Sequence, residues 1–399
     1  MSMVPSVRRI AVVSSSRADY GHLYWVLRAL QAAEDVELLP VALGAHSAPR
    51  FGETWRRFEE DGFPLAARLE CLLDSDSDTG MAKTIGLATL SLADWLDRER
   101  PDLLLLIADR YEMLAPASVA LALRIPIAHI EGGEISEGAV DDAVRHALTK
   151  LAHLHFVPTE QARRRVLAMG EERWRVHRVG APSLDHLFRG RLPDPARLLR
   201  EWGLAGDCAP LVVAWHPLTL LRDPGAESAC LFEALEHFDH PIAFCFPNAD
   251  AGRETIIRAA ERFCSGRRQA RLFVNLEHRE YWALLHAAAA LVGNSSSGIM
   301  ESPSLALPCV NIGDRQRGRE RARNIIDAPA QAAAIASAIR QALDPAFRRS
   351  LAGMDSPYGD GRAAERIVEV LRAVPLDARL LRKRALPLRQ GEAAFDHAE

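Results

Sequence analysis

Residues 102–158 read DLLLLIADRYEMLAPASVALALRIPIAHIEGGEISEGAVDDAVRHALTKLAHLHFVP, and this stretch decides the fold. Four consecutive leucines and an isoleucine within Asp102–Ala108 are too apolar for a strand with one wet face, so they predict a strand covered on both sides. Helical spacing follows over Met113–Leu123, then a short apolar run at Ile127–Ile130, helical spacing again over Val140–Ala152, and a last strand at His155–Pro158. Strands that alternate with helices imply a parallel sheet flanked by helices.

Working outward, the same alternation continues. Ile10–Val13 and Val36–Leu43 read as strands, with helices over His22–Ala33 and Thr84–Arg98. A second series begins after Gly180–Pro182. Its strands are expected at Leu211–Trp215, Ile242–Phe246, Arg271–Val274, Ala290–Val292 and Cys309–Ile312, with a helix at Arg253–Phe263. The reading is an α/β chain of two Rossmann-like domains facing a cleft, residues 1–182 and 183–360. An amphipathic helix over 362–375 is expected to cross back to the first domain. Residues 376–399, with Arg379, Arg382, Lys383, Arg384 and Arg389, read as a flexible, solvated tail.

Composition narrows the function classes. The chain has 399 residues, is 48% hydrophobic and 26% charged, and carries a net charge of −4. That size supports two cores, and the balance gives no reason to expect nucleic acid or an anionic membrane as a partner. Only Lys83, Lys150 and Lys383 are lysines. No apolar run reaches the ~18 residues of a membrane span, and no secretory leader is visible. The six cysteines contain no CxxC pair, so they read as reduced thiols of a cytoplasmic protein.

In doubly wound sheets, ligands sit beyond the carboxyl ends of the strands. The unusual polar clusters fall there. Ser14-Ser15-Ser16-Arg17-Ala18-Asp19-Tyr20-Gly21 is either a phosphate-approaching turn with Arg17 in reach, or a plain helix start capped by Asp19. Asp109-Arg110-Tyr111-Glu112 is either a substrate-facing acid beside an arginine, or a cap with a local ion pair. The densest cluster is His129-Ile130-Glu131-Gly132-Gly133-Glu134, followed by Asp141-Asp142 and Arg145-His146. Here Asp141 with Arg145 and Asp142 with His146 are four apart on one helix. His153 and His155 read as structural. In the second half, Trp215-His216-Pro217 and Pro247-Asn248-Ala249-Asp250-Ala251-Gly252 follow strands. Gly293-Asn294-Ser295-Ser296-Ser297-Gly298 opens a helix, with Glu301 further along to meet ribose hydroxyls. Neither a P-loop nor GxGxxG is present. Of Arg315, Arg317, Arg319, Arg321 and Arg323, one is expected to reach a diphosphate and the rest to form a solvated or ion-paired face.

Together these segments resemble the UDP-N-acetylglucosamine 2-epimerases, in the hydrolysing branch that serves sialic and legionaminic acid synthesis. The matching pieces are RADY at 17–20, DRYE at 109–112, HIEGGE at 129–134, DDAVRHALTKLAH at 141–153, HP at 216–217, PNADAG at 247–252, GNSSSG at 293–298 and NIGDRQRGRE at 311–320. Ala108 stands where a glycine is common, and Glu277-His278 where proline and arginine are common. The resemblance implies the glycosyltransferase-B architecture and a nucleotide-sugar substrate. It also implies a homodimer or homotetramer. By the same resemblance, Asp109, Glu131, Asp141 and His216 are catalytic. Arg17, Arg110, His216, Asn248, Ser295, Ser296, Glu301 and Arg315 hold UDP, and Glu134, Arg145 and His146 touch the sugar or support the site. The implied reaction takes UDP-N-acetylglucosamine and water to N-acetylmannosamine and UDP through 2-acetamidoglucal. It calls for no metal and no cofactor. Three rivals remain: the same chemistry on nucleotide-linked N,N′-diacetylbacillosamine, a glycosyltransferase, and a nucleotide-sugar binding module without turnover.

Overall fold

The computed structural model describes residues 7–220 and 225–384. Its strands are β1 (Arg8–Ser14), β2 (Val36–Ala42), β3 (Ala67–Arg68), β4 (Leu103–Ile107), β5 (Ile127–Ile130), β6 (Leu154–Val157), β7 (Val176–Arg178), β8 (Leu211–Ala214), β9 (Ile242–Cys245), β10 (Ala270–Phe273), β11 (Ala290–Gly293), β12 (Cys309–Ile312) and β13 (Ile325–Ala328). They form two sheets, ordered β3-β2-β1-β4-β5-β6-β7 and β10-β9-β8-β11-β12-β13. Neighbours run parallel, as in β1 with β4 and β8 with β11. Two Rossmann-like α/β lobes of the glycosyltransferase-B kind result, as the apolar patterning and the resemblance predict.

The leucine strand shows why. Leu103, Leu105 and Ile107 pack into one core with Leu23, Leu27, Ile367 and Leu371. Leu104 and Leu106 point the other way, into a core with Leu92, Trp95, Val119 and Leu148. Side chains alternate across a strand, so only an unbroken apolar run can satisfy a sheet buried on both faces. The strands β3, β7 and β13 carry no expectation from sequence, because two to four residues at a sheet edge show no periodicity.

The helix Ala363–Ala373 follows the second sheet in the chain but buries Ala364, Ile367, Val368 and Leu371 in the core of the first. Asp185 anchors its start, accepting from the Ala363 and Ala364 amides at 3.0 and 2.9 Å. The tail reading needs correction over 376–384. This segment is docked: Leu380 is 1% exposed. The guanidinium of Arg175 donates to the carbonyls of Arg379, Leu380 and Arg382 at 2.8–3.0 Å. Lys383 Nζ lies 2.7 Å from the buried Glu171 carboxylate. One buried leucine and one lysine in a segment rich in arginine gave no periodic signal for this anchorage. Arg389 and the rest of the tail lie outside the described residues. Among the described residues, no helix is long and apolar enough to cross a membrane. The six cysteines are unpaired.

Candidate active site

Each sheet reverses its winding beside its central strand, and the loops leaving those carboxyl ends meet across one cleft. From the first lobe the cleft receives Arg17, His22, Asp109, Arg110, Glu131 and Asp141. From the second it receives His216, Asn248, Ser295, Ser296, Glu301, Arg315 and Arg319.

The carboxylates sit where the backbone turns sharply. Ala108, directly after β4, has φ +57°, and Glu131, directly after β5, has φ +65°. A left-handed residue with a side chain costs roughly 1–2 kcal/mol. That cost redirects the chain at both strand ends, and Asp109 and Glu131 line the cleft. The imidazole of His129 contacts the Ala108 carbonyl at 2.7 Å and supports the first turn.

Asp109 is held by an ion pair with the buried Arg145, and Arg319 of the opposite lobe lies 3.8 Å away. Burial works to raise its proton affinity, but Arg145, Arg319 and Arg315 prevail and keep the carboxyl below its ordinary range. Asp141 differs. Burial and then the charge of Asp109 push its carboxyl up to about 6, against the pull of Arg315 at 3.9 Å. Two neighbouring acids are thus driven apart, one a fixed anion and the other titrating near neutrality.

His216 is held by a two-way backbone clamp. Its amide donates to Asn294 Oδ1 at 2.8 Å, and Asn294 Nδ2 donates to its carbonyl at 2.9 Å. Its Nδ1 accepts from the Asn248 amide at 3.2 Å, so the ring proton belongs on Nε2. Burial, then Arg315, Arg110 and Arg17, hold its pKa well below the ordinary histidine value. His216 is therefore a neutral donor, not a cation. Gly293, before Asn294, has φ +143°, and a Cβ there would lie 2.0 Å from the Ala214 carbonyl oxygen. Only glycine lets β11 close against β8 while presenting Asn294. The following helix, Ser296–Met300, has five residues, so it offers local amides and hydroxyls and little macrodipole.

Several expected contacts are different. The cap of the helix Arg17–Gln31 is Ser16, whose hydroxyl accepts from the Asp19 amide at 3.3 Å. Asp19 turns back to Ser15 instead, accepting from its amide at 2.9 Å and its hydroxyl at 2.6 Å. The Arg17 guanidinium crosses to the Val274 carbonyl at 3.2 Å. Arg110 lines the cleft, but its charge is taken by Glu112 at 3.0 Å and Asp250 at 2.6 Å. It ties the lobes together rather than waiting free for a diphosphate. Arg145 pairs with Asp142 and Asp109, not with Asp141 four residues earlier. Asp142 also accepts from the Ser136 amide at 2.6 Å, which fixes the loop before the helix Asp141–Leu151. Glu134 stands behind the cleft, 3.9 Å from Arg319 and 3.2 Å from the Tyr358 hydroxyl. His146 stays outside the cleft, 3.5 Å from Asp142. His153 accepts from the Ile127 amide at 3.0 Å, and His155 contacts Glu171 at 3.1 Å. Glu277 and Glu280 form a capping box that opens the helix His278–Ala287, which accounts for an acid at position 277.

Sequence reasoning missed His22 and, having singled out Arg315, left Arg319 among the arginines of a solvated or ion-paired face. Burial singles out Arg315 and Arg319, each 7% exposed. Their four-residue spacing within NIGDRQRGRE was the available signal.

Two facing Rossmann-like lobes, with acids on one and hydroxyls, a neutral histidine and guanidinium groups on the other, define a glycosyltransferase-B-like protein with its polar side chains gathered in the cleft. The chain belongs to the UDP-N-acetylglucosamine 2-epimerase family, whose model matches residues 28–372. It is 36% identical over 325 residues to a Campylobacter jejuni GDP/UDP-N,N′-diacetylbacillosamine 2-epimerase (hydrolyzing), covering 81% of this chain and 84% of that protein. It is 34% identical over 379 residues to a Legionella pneumophila UDP-N,N′-diacetylbacillosamine 2-epimerase (hydrolyzing), covering 94% and 99%. The crystal structure of a Neisseria meningitidis UDP-GlcNAc 2-epimerase bound to UDP-GlcNAc superposes with a TM-score of 0.76 at 18% identity. It covers 91% of this chain and 99% of that one.

Proposed function

We propose that this protein is a hydrolysing 2-epimerase, which converts a UDP-linked 2-acetamido sugar and water to UDP and the free sugar inverted at C2. The observation that carries this reading is the convergence of Asp109, Glu131 and Asp141 on the cleft that also holds His216, Arg315 and the serine run. With UDP-N-acetylglucosamine as donor, the product is N-acetylmannosamine.

The chemical obstacle is the C2–H bond, which is barely acidic in an intact sugar. Breaking C1–O first gives C1 oxocarbenium character and acidifies the neighbouring proton. The second lobe supplies what the leaving diphosphate needs: the Nε2–H of His216, the guanidinium of Arg315, the hydroxyls of Ser295 and Ser296, and Arg17 at the rim. Asp109, kept ionised between Arg145 and Arg319, is suited to stabilise the positive charge at C1 and poorly suited to carry a proton. Asp141, titrating near 6, is suited to take the proton from C2 and leave the glycal. Water then adds at C1, its proton taken by the Glu131 carboxylate, while a solvent-derived proton reaches C2 from the opposite face.

One observation favours a second donor. The two relatives described above are named for N,N′-diacetylbacillosamine, which carries an acetamido group at C4. Measuring UDP release and kcat/KM for both nucleotide sugars, without acceptor, tests the proposal and ranks the donors. UDP and a free 2-epimeric sugar in equal amounts are expected from at least one. UDP released only when an acceptor is added identifies a glycosyltransferase. Tight UDP binding with no release from either donor identifies a binding module.

A further inference from the structure

His22 lies on the helix Arg17–Gln31 and spans the two lobes with one rigid ring. Its Nδ1 is 3.0 Å from Glu131 Oε1 on the first lobe, and its Nε2 is 3.6 Å from Glu301 Oε1 on the second. We propose that His22 is a positioning residue through which occupation of the Glu301 subsite by a ribose diol is felt at the Glu131 carboxylate. The inference rests on the reading of the cleft as a nucleotide-sugar site.

The geometry asks for an imidazolium. A neutral ring donates from one nitrogen only and turns a lone pair toward the other carboxylate. Around the ring stand Asp19 from its own helix, Glu131 from the loop after β5, Glu301 after the serine run, and His186. Burial opposes the charge, and Glu131 and Glu301 more than offset it, so the ring keeps its proton well above the usual histidine range.

The Glu131 end of this bridge is short of other partners. Among the described residues, His22 is the only side chain bonded to the Glu131 carboxylate. Glu131 also sits on a left-handed backbone before two glycines, so little else fixes its direction. Glu301 accepts from the Ser297 hydroxyl and faces the cavity. A vicinal diol that donates to Glu301 competes with the 3.6 Å contact to His22. The ring is then left to Glu131 alone, and the acid is fixed when the nucleotide is in place. Binding and chemistry are coupled because one imidazolium cannot serve two anions equally.

Nitrogen-15 NMR of the full chain with ring-labelled histidine, with and without saturating UDP, tests the coupling without turnover. Both His22 nitrogens are expected to stay protonated well above the usual histidine range in the free protein, and UDP to lower the midpoint measurably. The variant His22→Gln supplies the second readout. Its kcat for UDP release should fall roughly 10- to 100-fold, because a misdirected carboxylate loses alignment. Its Kd for UDP should stay unchanged or fall, because the competing contact is gone. A ring that titrates near 6.5, no response to UDP, or a Kd that rises in step with the loss of kcat overturns the proposal. If UDP shifts His22 but neither donor is turned over, the coupling stands and the assigned reaction fails.

Discussion

The cleft is closed by a clasp whose removal should weaken ligand binding without touching the chemistry. Asp76, in the loop before the helix Asp78–Glu99 of the first lobe, caps the helix Arg253–Ser265 of the second. Its Oδ1 accepts from the Gly252 and Arg253 amides at 2.8 and 3.1 Å, and its Oδ2 from the Glu254 amide at 3.3 Å. The side chain of Arg253 pairs with Asp74, and its Nη1 lies 3.5 Å from Asp76. Losing a cap costs about 1 kcal/mol, within a range of roughly 0.5–2. The partly exposed ion pair adds about 0–1 kcal/mol. Both contributions exist only when the lobes are together, so Asp76→Ala should weaken closure by roughly 1–2 kcal/mol, or about 5- to 30-fold. Where the free protein is mostly open, calorimetric Kd for UDP and KM for the donor rise by that factor. Meanwhile kcat and the unfolding midpoint stay nearly constant. Asp76→Asn keeps the two shorter cap bonds at Oδ1 and loses only the 3.3 Å one, so it should remain within about threefold of the parent. A Kd unchanged in Asp76→Ala refutes the reasoning, and so does a Kd raised equally in Asp76→Asn, since then the cap is not what matters.

Further outcomes follow from the same geometry. Asp141 must be ionised to accept a proton, and burial beside Asp109 raises its carboxyl to about 6. So kcat/KM for UDP release should fall about tenfold per pH unit below that value, and a flat profile down to pH 5 removes Asp141 as the base. Arg145→Met leaves Asp109 and Asp142 without their guanidinium and should cost roughly 3–5 kcal/mol in denaturant unfolding, a loss that Arg145→Lys does not fully restore. Ala108→Gly relieves a left-handed alanine and should stabilise the fold by about 1 kcal/mol; a lower unfolding midpoint would show that the turn is not strained.

Much of the architecture was legible because buried parallel strands must be continuous apolar runs, as at Leu103–Ile107 and Leu211–Ala214. Most of the polar clusters at their carboxyl ends also converge, because a doubly wound sheet brings those ends together. What sequence could not show is partner choice across the cleft. Asp109 and Arg110 are adjacent, yet one pairs with Arg145 and the other with Asp250. His22 and Glu301 are far apart in the chain, and nothing local marks that pair. The docking of Leu380 and Lys383 was equally hidden. A basic, irregular segment reads as solvated unless the buried Glu171 and the Trp174–Arg175 shelf beneath it are known. The first-helix cap shows a finer limit: three serines and an aspartate each qualify, and only the extended backbone of Ser16, φ −152°, selects it.

The central claim is that departure of the diphosphate and exchange at C2 happen in one cleft, on one sugar. Proton NMR of the protein with each nucleotide sugar in D2O measures this directly. UDP and a free sugar of inverted C2 configuration, with one deuterium at C2, are the predicted products. A released sugar that retains its original C2 proton and configuration would contradict the account.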